Sequence, residues 1–277
     1  MQLRKWTTSL ASLLILLAAC TDRPTSIAAP DGIRAIVNGE PTGSAYGNVG
    51  ALLFDYGNNG ISGDDEWCTG SLIAPTIFLT AAHCVVSSYT PAGTQFYVSF
   101  ASDLYSTTAN YITATGYVYD PQFGHDQAKL HDLALVFLPE NSTTGITPLQ
   151  LPPAGYLDQL SAHGGLNKAL FINVGYGTSA TLTGPPGWPY DGVRKTSKSK
   201  FMGLQQNWLG LLMNSNATGQ GGDCYGDSGG PKFLDGNPNM VLATVTTGDY
   251  PCRATTWDWR LDTPAARGFL GNYVALP

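Results

Sequence analysis

The sequence predicts an all-β chain in two strand-rich halves, closed by one short C-terminal helix. Three observations carry this expectation. The 277 residues include 33 Gly and 18 Pro, and only 12% are charged. That mix favours short strands joined by turns over long helices. From Ala35 onward, short apolar runs recur, each bounded by turn residues. A break rich in Pro and small polar residues, within 139–153, divides the runs into two series. Hydrophobic residues make up 43%, enough for a sizeable core, and the length allows two packed subdomains.

The amino terminus comes first and reads as a targeting segment. Arg4 and Lys5 precede an apolar stretch, Leu10 to Ala19, shorter than the roughly 20 residues a spanning helix needs. Residues 1–19 are therefore expected to be a signal peptide. The ending Leu17-Ala18-Ala19-Cys20 resembles a bacterial lipoprotein signal. It implies that Cys20 is lipidated and that several acyl chains anchor the protein to a membrane of the cell envelope. Residues 20–34 read as a tether or propeptide. Removing 1–19 takes two bases and no acid, leaving 12 basic against 20 acidic residues, a net of −8. An acidic chain is a poor partner for nucleic acid, whose phosphates require a basic face. Of five cysteines, Cys20 is set aside, and four remain for two bridges in an oxidising compartment.

The strands follow. Ala51–Phe54, Gly70–Ile73, Phe96–Phe100, Tyr111–Thr115 and Leu133–Leu138 form the first series. Ala169–Val174 and Met240–Val245 belong to the second. The folded domain is expected over 35–277, with an N-terminal half at about 36–145 and a C-terminal half at about 146–277. Near the end, Asp262 is expected to cap a short helix, with Pro264 in its first turn.

Ser228 lies in Gly226-Asp227-Ser228-Gly229-Gly230, where small neighbours permit a sharp turn and an exposed hydroxyl. Taken alone, the segment fits the nucleophile elbow of α/β-hydrolases, whose histidine follows the serine. Here His83, His125, His131 and His163 all precede Ser228, so that reading fails. His83 follows an apolar run and adjoins Cys84. Asp126 lies in a polar stretch with no strand to fix it, whereas Asp132 begins the apolar run DLALVFL. A carboxylate that orients a histidine needs such rigidity. The order His83, Asp132, Ser228 emerges. His125, His131 and His163 read as surface or loop residues.

Ile36-Val37-Asn38-Gly39, TAAHC, DLAL and GDSGGP, in that order, resemble the chymotrypsin/trypsin-like serine protease family. Val174-Gly175-Tyr176-Gly177 is similar to the segment that opens the family's second barrel. The resemblance implies two packed six-stranded Greek-key β-barrels with the active site between them. Ser228 would be the nucleophile, His83 the base and Asp132 its orienting partner. The backbone N–H groups of Gly226 and Ser228 would form the oxyanion hole. Disulfides Cys68–Cys84 and Cys224–Cys252 would staple the histidine loop and the pocket wall. A freed Ile36 amino terminus would pair with Asp227, although Arg34 lies one residue too early for a trypsin-type cut to free it.

The resemblance places Gly222 at the pocket floor, where enzymes cutting after Lys or Arg carry Asp. Asp223, one position later, could reach a basic side chain through a water. The preferred reading is that it points away and caps a turn. Thr246-Thr247-Gly248 matches the substrate-binding segment, with Gly248 leaving the pocket mouth open, and Trp257 is a candidate to shorten the pocket. Asp64, Asp65 and Glu66 could bind Ca²⁺ but read better as a solvated acidic turn, so no metal is expected. The expectation is an exported serine endopeptidase acting as a monomer on proteins or peptides, without a cofactor. The alternatives are an esterase using the same triad, or a binding protein that keeps the fold without turnover.

Overall fold

The structure is a computed structural model that describes residues 36–180 and 187–277. The expectations for the signal peptide, Cys20 and the tether, with Arg34 and Ala35, lie outside the described residues. No helix among the described residues is long and apolar enough to cross a membrane.

The first half contributes β1 (Glu40–Pro41), β2 (Val49–Leu53), β3 (Glu66–Ala74), β4 (Ile77–Thr80), β5 (Tyr97–Ser99), β6 (Ile112–Thr113), β7 (Gly116–Tyr119) and β8 (Ala134–Phe137). Strands β2, β3 and β4 form an antiparallel meander, and β5 returns to lie beside β2. That order is a Greek key. β6 pairs with β5, while β7 pairs with β8, which lies against β4. Between them the Ala114 N–H donates to Phe96 O and the Thr115 N–H to Phe137 O. One bent run therefore passes from β5 to β8 and closes a six-stranded barrel, which removes its open edges.

The second half contributes β9 (Leu170–Gly175), β10 (Lys195–Leu204), β11 (Trp208–Leu212), β12 (Pro231–Leu234), β13 (Ala243–Gly248) and β14 (Thr255–Arg260). β9, β10 and β11 form a meander, β12 returns beside β9, and β13 and β14 complete the ring to β11. It is a second Greek key and again a six-stranded barrel. The inward side chains of β10 include Ser197 and Ser199, with Lys198 and Lys200 exposed. Such a polar alternation hides a strand from a hydrophobicity reading.

The chain enters through the second barrel. Glu40 pairs with Thr196 and Pro41 with Lys195, while Val37 bridges Gly222. The first residues of β10 meet β9 on one edge only, and β1 covers the other. The segment from Val37 to Pro41 thus belongs to the C-terminal barrel, although the sequence boundary assigned it to the first.

Leu52, Phe78, Phe96, Val98 and Val136 pack together within the first barrel, and Phe171, Leu209 and Leu211 within the second. A third cluster joins Leu79 and Leu135 of the first to Val174, Phe233 and Trp259 of the second. Full burial of each such side chain contributes about 1.5–3 kcal/mol.

Four short α-helices occur among the described residues, where the sequence predicted one. They are α1 (Ala82–Val85), α2 (Tyr156–Ala162), α3 (Ser215–Thr218) and the expected C-terminal helix α4 (Pro264–Leu270). One or two turns are too short to display a helical period. The cap of α4 is Thr263, whose side chain accepts from the Ala266 N–H, with Pro264 at the first helical position. Asp262 does not cap it; its carboxylate accepts from the Leu157 N–H and the Arg260 guanidinium. Phe269 and Leu270 of α4 complete the cluster between the barrels.

Candidate active site

Loops at the barrel junction bring His83, Asp132 and Ser228 to one place. β4 leads into α1, which carries His83. Asp132 sits two residues before β8, which lies beside β4. The His83 ring Nδ1 is 2.7 Å from Asp132 Oδ2. The backbone N–H of His83 donates to Asp132 Oδ1 at 2.9 Å. One fully buried carboxylate thus grips both the ring and the chain of the same residue. Burial opposes a charged His83 ring, but the charge and hydrogen bond of Asp132 outweigh it, so His83 titrates above its ordinary value.

Ser228 lies in the turn before β12 and lines the same cleft as His83. The turn is pinned from both barrels. The Thr69 N–H donates to Ser228 O at 2.9 Å, and the Gly229 N–H to Val245 O at 2.8 Å. Gly229 has φ of +78°, and a Cβ there would stand 2.2 Å from Thr80 Oγ1. Only glycine fits that position. The backbone N–H groups of Gly226 and Ser228 donate to no acceptor among the described residues. They are free to receive an anionic oxygen.

Asp227 points away from the cleft and is wholly buried. Its oxygens accept from the Gly177 N–H at 2.9 Å and the Cys224 N–H at 2.8 Å. Desolvation above all, then the charge of Asp223, pushes its carboxyl up to about 8 against those hydrogen bonds. Ile36 is also buried, and the next residue, Val37, exchanges backbone hydrogen bonds with Gly222.

Disulfides join Cys68 to Cys84 and Cys224 to Cys252. The first ties β3 to α1 beside His83; the second ties the segment before Ser228 to the loop after β13. Bridges of this kind persist in oxidising compartments.

The cleft has a volume of about 550 Å³. Thr246 and Gly248 line it, as do Met213, Asp223 and Thr256, with Trp67, Tyr225 and Tyr250 at its rim. Three pocket expectations need correction. Gly222 does not line the cleft: Met213 covers it, packed so closely that a Cβ on Gly222 would stand 2.2 Å from Met213 Cβ. Trp257 lies outside, beside Trp208 and Gln205 in a separate shallow hollow. Asp223 caps no turn; it is buried and forms an ion pair with the Lys232 ammonium.

Other expectations sort as follows. His125 and His163 are exposed. His131 is not a free surface residue: its Nδ1 lies 2.8 Å from the carboxylate of buried Asp120, and its ring tilts against Trp259. Asp126 caps its own short turn by accepting from the Ala128 N–H. The acidic cluster divides. Asp64 accepts from the Tyr105 hydroxyl, Asp65 from the Ser62 N–H, and Glu66 turns inward beneath Gly226. Sequence reasoning missed Lys232, Met213, Thr256, Trp67, Tyr225 and Tyr250 near the site, and read Glu66 as part of a solvated turn.

A family model described as Trypsin matches residues 53–258, well over half of the chain. The chain belongs to the trypsin family. Among curated proteins, this trypsin-family chain is similar to a collagenase from Hypoderma lineatum, 28% identical over 190 residues. The alignment covers 65% of this chain and 65% of the collagenase. Among solved structures, HBP at atomic resolution aligns with a TM-score of 0.62 at 19% identity, over 87% of this chain and 98% of that one. Human heparin binding protein gives 0.61 at 17%, over 87% and 99%. HL collagenase gives 0.61 at 18%, over 86% and 98%. At these identities the solved structures establish the shared trypsin-family fold alone.

Proposed function

We propose that this trypsin-family chain is a serine endopeptidase that works through an acyl-enzyme on Ser228. The observation that carries the reading is the His83 ring held by Asp132 in the cleft that Ser228 lines. Ser228 Oγ attacks the peptide carbonyl carbon while His83 Nε2 takes the hydroxyl proton. Asp132 steadies the imidazolium, and the N–H groups of Gly226 and Ser228 hold the oxyanion. His83 then gives the proton to the departing amine. Water repeats the sequence on the acyl-enzyme and restores Ser228.

Cleavage before Ile36 would supply an ammonium to Asp227 and draw its raised carboxyl back to the ionised form. The chain would be exported, with its signal peptide removed and Cys20 lipidated in a bacterial cell envelope. The collagenase relative supports a protein substrate. A heparin-type ligand does not suit a chain that, without residues 1–19, carries 12 bases against 20 acids, a net of −8.

Fluorophosphonate labelling of the exported full chain tests the reading, with N-terminal sequencing to locate any cut. Wild type should label and Ser228→Ala should not. Absence of labelling in protein whose amino terminus is Ile36 would refute it. A preparation that labels, and whose unlabelled portion hydrolyses esters but no peptide, would favour the esterase.

A further inference from the structure

The second barrel buries a lysine directly behind the cleft. Lys232 is the second residue of β12, and none of its surface is exposed. A buried ammonium requires a partner, because removing the charge from water is costly. Its Nζ contacts an Asp223 carboxylate oxygen and donates to Asn173 Oδ1 at 2.7 Å. Asp258 Oδ1 lies 3.7 Å away. Asn173 is held in turn: its Nδ2 donates to Ser197 and Ser199, and Ser199 donates to Gly221 O. The inward serines of β10 therefore support the lysine.

Asp223 stands between this network and the cleft, which it lines. Desolvation foremost pushes the Asp258 carboxyl up to about 8, and its Oδ2 is buried without a partner. Asp223 makes the direct contact with the ammonium while Asp258 stands off at 3.7 Å, so Asp223 and Lys232 pair one for one. Met213, Val245, Thr246 and Thr256 add uncharged wall; Asp249 also lines the cleft, but its carboxylate is engaged by the backbone N–H groups of Arg253, Ala254 and Thr255.

We infer that Lys232 sets the polarity of the specificity pocket: it neutralises Asp223 from behind, so the cleft selects an uncharged side chain before the cut. This rests on the protease reading above. A substrate Lys or Arg entering the cleft would meet a carboxylate already engaged and a second cation just beyond it. Without the lysine ammonium, Asp223 would be the unmatched charge, and the same pocket would favour Lys and Arg.

The test is a peptide-library profile of the exported, processed enzyme, run on an unlabelled portion of a preparation shown to label, alongside Lys232→Met and the double variant Asp223→Asn/Lys232→Met. In wild type, kcat/KM for uncharged residues before the cut should exceed that for Lys or Arg at least tenfold. In Lys232→Met the ratio should shift toward Lys and Arg by tenfold or more. In the double variant that shift should vanish. A wild-type preference for Lys or Arg overturns the inference outright, whether or not the variants fold. An unchanged profile in a Lys232→Met enzyme that still labels overturns it too. A wild type that neither labels nor cleaves removes the protease reading itself, a result distinct from a misassigned pocket.

Discussion

Arg194 donates to the Tyr176 hydroxyl at 3.1 Å, and that hydroxyl donates onward to Ala101 O at 2.7 Å. Both side chains belong to the second barrel and end on carbonyls of the first. Arg194 also donates to Val49 O and Phe100 O at 3.0 Å, and to Ala45 O at 3.0 Å. The pair fixes the seam along which His83 and Ser228 must meet. Arg194→Met would leave several buried carbonyls short of a donor, at about 1–3 kcal/mol each when fully stranded. It should lower the melting temperature and, where folded protein remains, the labelling rate. Arg194→Lys should not restore either, because one ammonium cannot replace a planar fork. Calorimetry beside labelling kinetics checks both.

The His83–Asp132 contact predicts a pH profile. Catalysis needs neutral His83, and Asp132 holds the ring's pKa above its ordinary value. Activity should therefore rise with pH through a midpoint above that of a free imidazole. Asp132→Asn should lower that midpoint and reduce kcat by about 10⁴, since the asparagine favours the wrong tautomer. The measurement is kcat/KM against pH for both proteins. An unshifted midpoint would contradict the assignment.

Glu66 predicts a second pH effect, on stability. Its Oε1 is buried without a hydrogen-bond partner. Desolvation first, then the charge of Asp227, holds its pKa well above the ordinary carboxyl range. A raised folded-state pKa means that the folded chain holds a proton the unfolded chain has already lost. Stability from this group is present at low pH and drains away as pH rises through the folded value. Glu66→Gln keeps the shape and removes the titration. Thermal melts at pH 6 and pH 9 check this, with uncut Ser228→Ala protein as the background. The drop in melting temperature should be larger in that background than when Glu66→Gln is added to it.

The disulfide Cys224–Cys252 spans 28 positions. Loop-closure entropy puts its contribution at about 3–4 kcal/mol. Cys224→Ser/Cys252→Ser should lower stability by that order in denaturant melts. It should also raise KM for peptides, because the bridge supports one wall of the cleft.

The parts of the site that were legible are short and contiguous. TAAHC, DLAL and GDSGGP each carry one of the three residues that the fold brings together, with its backbone neighbours, and their order excluded the α/β-hydrolase reading. The strands that read clearly, such as β8, are uniformly apolar. What could not be read depends on contacts across the sheet. Lys232 lies between Pro231 and Phe233, both also buried, and nothing local shows that its ammonium meets Asp223. Glu66 follows Asp64 and Asp65 in sequence but turns the opposite way, toward Gly226. Gly222 was read as the pocket floor, yet it bridges Val37, and Met213 from just beyond β11 covers it. Charge pairing and side-chain cover are tertiary facts, and a linear pattern holds only half of each.

The course of the chain, entering one barrel, building the other and then returning, has a consequence for synthesis. Thr42 donates through its hydroxyl to Arg194 O, 152 positions later. The segment that emerges first must therefore wait for most of the polypeptide before it finds its place. Such long-range closure slows folding, and the C-terminal half alone lacks the strand that covers the edge of β10. A nick before Ile36 would leave the new end already held by Val37 and β1. Maturation could then follow folding, with the cut acting on an assembled molecule and releasing only what precedes it.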